Sequence, residues 1–151
     1  MPLIVAGTDA PDFEVKTSTG KTFRLRDALG ATRTMLVFYP KDFTPGCTDQ
    51  LIEVRNSVEL IRSADTEPMG VNPDDAESHE KFRTTYELPF ELLVDEDRTI
   101  ATAYGSLKDD GVGIQRSVIV IGKDGKVIFS SEGAPSWSVV HEAINAAGDA
   151  G

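Results

Sequence analysis

The sequence holds a single cysteine, and the residues around it are those that chemistry at a thiol requires. Cys47 closes the run Tyr39-Pro40-Lys41-Asp42-Phe43-Thr44-Pro45-Gly46-Cys47, between an apolar stretch and a helical pattern. A thiol becomes a useful nucleophile only as thiolate, and a helix N-terminus is one setting that stabilises that form. Thr44 suits the capping position, and Pro45 suits the first helical residue, where no backbone donor is needed. Gly46 allows a ligand or another backbone to come close. Cys47 then falls in the first turn, among N–H groups that lack an intrahelical partner and can bind the oxygens of a small substrate. Pro40 ends sheet pairing and can wall the site against water. A lone cysteine is more often a small buried hydrophobe than a catalyst. Two features reverse that here. Cys47 stands at the capped end beside Thr48, Asp49 and Gln50 rather than on the apolar stripe that begins at Leu51, and Thr-Pro-Gly is a costly entry for a helix that only buries one sulfur.

The elements that must position this sulfur follow from periodicity. Thr34 to Tyr39 is almost continuously apolar, as a central strand buried on both faces should be. Beyond Cys47, Leu51, Val54, Val58 and Ile61 recur at helical spacing, predicting one helix that ends near Ser63. Upstream, Phe13 to Val15 and Thr22 to Leu25 form a short hairpin turning at Thr19-Gly20, and Asp27 to Gly30 is one helical turn closed by glycine. A weak strand at Pro68 to Val71 follows, although Arg62 to Met69 is more polar than a buried strand calls for. Asn72 caps the next helix, with Pro73 first and Asp74 and Asp75 in the first turn; Ala76, His79, Phe82 and Tyr86 make its stripe. Leu92 to Val94 is a strand, and Asp97 caps a short helix closed by Gly105. Ser117 to Ile121 and Lys126 to Phe129 pair as a hairpin. A last helix, Pro135 to Ala147, buries Val139, Val140, Ile144 and Ala147. The fold class is α/β: a mixed central sheet with helices on both faces and an N-terminal β-hairpin.

Length and composition bound the function. The 151 residues make one domain, and 40% hydrophobic with 26% charged residues is the balance of a globule rather than a disordered or membrane-embedded chain. No apolar run is long enough to cross a bilayer, and the start lacks the basic region of a secretory signal, so a cytoplasmic location is expected. A formal net charge of -10 disfavours nucleic acid and anionic membranes as partners and leaves a small neutral substrate unopposed. With one cysteine, no intramolecular disulfide forms, and any redox cycle must borrow its second thiol from outside.

The loop Phe38-Tyr39-Pro40-Lys41-Asp42-Phe43-Thr44-Pro45-Gly46-Cys47-Thr48 closely resembles the peroxidatic loop of the peroxiredoxins, and most of all their bacterioferritin-comigratory-protein, or Q-type, branch. The pattern Pro-x-x-x-Thr-x-x-Cys is met by Pro40, Thr44 and Cys47. Ala10-Pro11-Asp12-Phe13, Gly70-Val71-Asn72-Pro73-Asp74, Glu77-Ser78-His79, Tyr86-Glu87-Leu88-Pro89-Phe90, Ala103-Tyr104-Gly105 and Arg116 also match, in order. The resemblance implies a thioredoxin-like fold and thiol-dependent reduction of hydrogen peroxide and organic hydroperoxides. Cys47 would attack a peroxide oxygen and become a sulfenic acid. The Thr44 hydroxyl would hydrogen-bond the peroxide, Pro40 would shield the sulfur, and Arg116 would keep it ionised and stabilise the departing oxygen, with backbone N–H groups of Gly46 and Cys47 as further donors. No metal and no other cofactor is implied, and the family contains monomers and homodimers.

Two departures stand out. Many Q-type members carry a resolving cysteine where this chain has Ile52, and often a glutamate where it has Gln50. A one-cysteine mechanism follows, in which thioredoxin, glutaredoxin or a low-molecular-weight thiol supplies the second sulfur. The rival reading is a non-enzymatic thioredoxin-fold binding or holdase module with an inert cysteine, and a third is a cysteine hydrolase with His79 as base. His79 reads better as a half-buried structural residue and His141 as exposed; Tyr39, Phe43 and Trp137 read as site borders or core packing. Gly111-Val112-Gly113 lacks the third glycine of a nucleotide loop, and Asp95-Glu96-Asp97 lacks the glycine and glutamate of a calcium loop.

Overall fold

The computed structural model describes residues 2–148. Its main sheet has five strands in the order β5-β4-β3-β6-β7, formed by β3 (Arg33–Phe38), β4 (Thr66–Asn72), β5 (Leu92–Val94), β6 (Ser117–Ile121) and β7 (Val127–Glu132). β3 pairs in parallel with β4 and antiparallel with β6, so the sheet is mixed, as expected. The hairpin β1 (Glu14–Lys16) and β2 (Thr22–Arg24) stands apart as a two-stranded sheet. The helices are α1 (Leu25–Ala28), α2 (Pro45–Asn56), α3 (Val58–Ser63), α4 (Ala76–Thr85), α5 (Thr99–Tyr104) and α6 (Trp137–Ala147). Among the described residues no helix is long and apolar enough to cross a membrane.

Every residue of β3 is buried, and successive side chains serve opposite sides. Met35, Val37 and Tyr39 join Leu51 of α2, Phe82 of α4, and Val140 and Ile144 of α6 in one apolar cluster. Leu36 and Phe38 join Leu25, Ile100 and Tyr104 in the other, covered by α1, α5 and the partly buried Phe13 and Phe23 of the N-terminal segment. Helices therefore lie on both faces.

Several boundaries differ from the sequence reading. The single helix expected from Cys47 to Ser63 is broken at Ser57, whose backbone sits at φ -101°, ψ 3° and donates to the carbonyls of Glu53 and Val54. β4 starts at Thr66 rather than Pro68. Its polar approach has a use: Arg62 forks onto both oxygens of Glu67, donates to the Pro89 carbonyl, and ties α3 to the strand. Pro68 is tolerated because β5 pairs only with Gly70 to Asn72, leaving β4 an edge at that point. Asn72 does not cap α4. It ends β4, its Oδ1 accepts from Asp74 N, and Asp75 takes the cap by accepting from Ser78 N at 2.8 Å. Asp97 Oδ1 accepts from Thr99 N, but the first turn of α5 is held mainly by buried Asp95, which accepts from Ile100 N and Ala101 N at 3.0 and 2.9 Å. Gly105 closes α5 at φ +75°, where a Cβ would also strike the Pro2 carbonyl oxygen at 2.1 Å. α1 starts at Leu25 and α6 at Trp137. α6 buries Val140 and Ile144, whereas Val139 and Ala147 are exposed, because four-residue spacing selects a narrower stripe than the apolar content suggested.

Candidate active site

The site lies at the C-terminal end of the central strand. β3 ends at Phe38, Tyr39 is fully buried, and the chain leaves the sheet through Pro40 to Thr44 before α2 begins at Pro45. β6 runs antiparallel to β3 with Ser117 opposite Phe38, so Arg116, one residue before β6, arrives at the same end of the sheet. This pairing joins two groups 69 residues apart in sequence: Arg116 Nη2 donates to Cys47 Sγ at 3.3 Å. The second guanidinium nitrogen, Nη1, donates to Gln50 Oε1. Gln50 follows Cys47 by three residues on α2 and so shares its face. One planar fork thus spans two side chains of one helical turn, which a point-like ammonium could not do.

Cys47 is 1% exposed and packs in the cluster of Val37, Tyr39 and Leu51. The expectation that it stands off the apolar stripe is corrected: Cys47 and Leu51 are four residues apart and lie on the same stripe. Unlike its apolar neighbours, Cys47 has a guanidinium on its sulfur and sits in the first turn of a twelve-residue helix with proline at its start. Thr44 occupies the capping position with extended backbone, and its carbonyl accepts the first helical bond from Thr48 N at 2.8 Å. Its side chain makes no cap bond; the hydroxyl instead donates to the Lys41 carbonyl at 2.9 Å. That donation consumes the hydroxyl proton and leaves oxygen lone pairs able to accept from a ligand. Pro40 and Thr44 are half-buried, and Gly46 is exposed. A Cβ at Gly46 would lie 3.6 Å from Arg116 Nη2, an ordinary contact, so glycine is not demanded there by space.

The loop holds a bulky residue in the left-handed region, Phe43 at φ +66°. Such a conformation costs about 1 kcal/mol and persists only when its surroundings impose it. The Phe43 ring, 46% exposed, packs edge-on against Phe82 at 5.2 Å and beside Tyr86 at 6.2 Å. The preceding residue, Asp42, is buried. Its backbone N–H donates to Asp74 Oδ2, and its carboxylate accepts from Tyr39 Oη at 2.6 Å, Asn72 Nδ2 at 3.2 Å and Ser78 Oγ at 2.8 Å. Burial pushes the Asp42 carboxyl up, but its bonds with His79, Tyr39 and Ser78 outweigh this and hold it below the usual carboxylate range. Burial first, and then the Asp42 charge, push the Tyr39 hydroxyl well above its ordinary value.

His79 is fully buried rather than half-buried, with Nδ1 2.7 Å from Asp42 Oδ2 and Nε2 2.9 Å from the Leu93 carbonyl. Both ring nitrogens are engaged away from Cys47, which removes it as a base for that sulfur. His141 is exposed and stacks on Trp137 at 5.2 Å, while Trp137 packs partly buried against the core. Sequence reasoning notes Gln50 only as a departure from the family pattern and gives it no role, although its three-residue spacing from Cys47 is a signal; Asp42, a carboxylate in a polar loop, carries none and is missed.

The description "AhpC/TSA family" belongs to the family model that matches residues 6–130. Peroxiredoxin Bcp of Bacillus subtilis (strain 168) is 40% identical over 131 residues, 83% of this chain and 83% of that protein. Among solved structures, Xanthomonas campestris peroxiredoxin Q superposes with a TM-score of 0.82 at 26% identity, over 93% of this chain and 95% of its own. Peroxidoxin BcpB from Mycobacterium tuberculosis does so with a TM-score of 0.83 at 26% identity, over 93% and 94%.

Proposed function

Because this chain belongs to the AhpC/TSA family and has the thioredoxin-like fold of the peroxiredoxins, we propose that Cys47 is its peroxide-reducing group and that Arg116, Thr44 and Pro40 complete the site. The chain is a thiol peroxidase of the Bcp and peroxiredoxin Q kind. The observation that carries the assignment is the Arg116 donor on the Cys47 sulfur at the start of α2.

The Cys47 thiolate attacks one oxygen of hydrogen peroxide or an organic hydroperoxide in line with the O–O bond. The S–O bond forms as the O–O bond breaks, the sulfur is oxidised to a sulfenic acid, and the second oxygen leaves as water or alcohol after taking a proton. Arg116 Nη2 faces the reacting sulfur and the charge that moves onto the leaving oxygen, and Gln50 fixes the guanidinium in plane. Thr44, whose proton is committed to Lys41, accepts from the peroxide O–H. The unpaired N–H groups of Gly46 and Cys47 supply further donors. Pro40, half-buried where the chain leaves the sheet, shields the sulfur from water in this reading.

With one cysteine, the sulfenic acid is resolved by an external thiol: a mixed disulfide forms with loss of water, and a second thiol releases Cys47. A low-molecular-weight thiol, thioredoxin or glutaredoxin can fill that role, which suits the reducing cytoplasm. We take residues 1–151 as one domain, working as monomer or homodimer, with no metal and no nucleic-acid or membrane partner. An inert-cysteine binding module would leave the guanidinium on the sulfur without a use. Cys47→Ser decides between them: peroxide consumption in the presence of dithiothreitol should be lost, and substantial retained turnover would end the assignment.

A further inference from the structure

We infer that His79 is a positioning residue for the Cys47 reaction, acting through the carboxylate of Asp42 to hold the loop that begins α2. Asp42 lies between Pro40 and Thr44 in that loop, is 4% exposed, and gathers its partners from three other elements. Tyr39 comes from the end of β3, Asn72 from the end of β4, and Ser78 and His79 from α4. Asp74 holds its backbone N–H. Both ring nitrogens of His79 are engaged, Nδ1 at 2.7 Å from Asp42 Oδ2 and Nε2 at 2.9 Å from the Leu93 carbonyl, so the ring bridges the loop carboxyl to β5 out of contact with water.

The pair reaches the sulfur through the chain. Asp42 immediately precedes Phe43, whose left-handed backbone needs an anchor, and Thr44, which starts the helix carrying Cys47. A residue in place of His79 that does not bridge Asp42 Oδ2 and the Leu93 carbonyl would leave the buried Asp42 carboxylate short of a partner, a state relieved most readily by releasing the loop to solvent. Thr44 and the first turn of α2 would move with it, and small displacements of reacting groups carry large rate penalties. The Arg116 contact comes from the opposite side of the sheet end and does not replace this anchor.

The inference rests on Cys47 being the peroxide-reducing group. The test is the second-order rate of Cys47 oxidation by hydrogen peroxide, by rapid quench, at a temperature where thermal melts show each protein fully folded. The rate should fall about tenfold or more in His79→Gln and about threefold in Ser78→Ala, while Ser78→Thr, which keeps the hydroxyl, restores it. Should His79→Gln fail to fold, the serine pair carries the test. A folded His79→Gln or Ser78→Ala with the wild-type rate overturns the inference. A wild type inert to peroxide overturns the reading of Cys47 beneath it.

Discussion

Replacing Arg116 by alanine removes a donor to the Cys47 sulfur and leaves Gln50 Oε1 without its partner. A hydrogen bond to a charged group is worth about 1.5–3 kcal/mol, and each 1.36 kcal/mol is a factor of about ten in rate. The second-order constant for oxidation of Cys47 should therefore fall about ten- to 150-fold. Stability should also drop by about 1–3 kcal/mol, since the Gln50 carbonyl is left buried and unpaired. Arg116→Lys keeps the charge but cannot bond Cys47 and Gln50 with one fork, so its rate should fall between wild type and alanine. The assay is single-turnover oxidation by substoichiometric hydrogen peroxide, quenched on the millisecond scale with a sulfenic-acid trap and read by intact mass, so that the external-thiol step does not mask the first one. A folded Arg116→Ala protein reacting within about twofold of wild type would refute the reasoning.

Other consequences can be checked with ordinary methods. A Cβ on Gly70 would sit 2.6 Å from Leu92 Cδ2 and 3.0 Å from Tyr39 Cε1. Gly70→Ala should lower stability by about 1–3 kcal/mol in urea unfolding, and an unchanged midpoint would deny the close packing beneath the loop. The Asp42 carboxyl is depressed in the folded state, so its contribution to stability is present above the unfolded carboxylate value of about 3.9 and is lost as pH falls through the folded value. Thermal melts of wild type and Asp42→Asn should converge below about pH 4; parallel curves would speak against the depression. Cys47→Ser should lose peroxide turnover while keeping the wild-type far-ultraviolet circular dichroism.

What could be read from the sequence was what local chemistry encodes. The strand before Pro40, the Thr-Pro-Gly entry to a helix and the closing hairpin each carry their own signal, and all three are present. Arg116 entered only through resemblance, because its meeting with Cys47 depends on β6 lying antiparallel beside β3, a pairing no local pattern specifies. The polarity of Thr48 and Asp49 points Cys47 away from the core, but the four-residue step to Leu51 puts it on the buried face. Periodicity put His79 on the inner stripe of its helix but could not say that the stripe meets a carboxylate from a loop 37 residues earlier. The helix break at Ser57 and the exposure of Val139 were hidden for a related reason, since apolar spacing continued across the first and apolar content suggested burial of the second.

On the proposed function, Cys47 takes an oxygen from peroxide. Peptide mass mapping of the wild type after a brief pulse of less than one equivalent of hydrogen peroxide, trapped with dimedone, tests it directly. The adduct should appear at Cys47, and its yield should match the peroxide consumed. Peroxide left in solution beside an unmodified Cys47 would end that assignment.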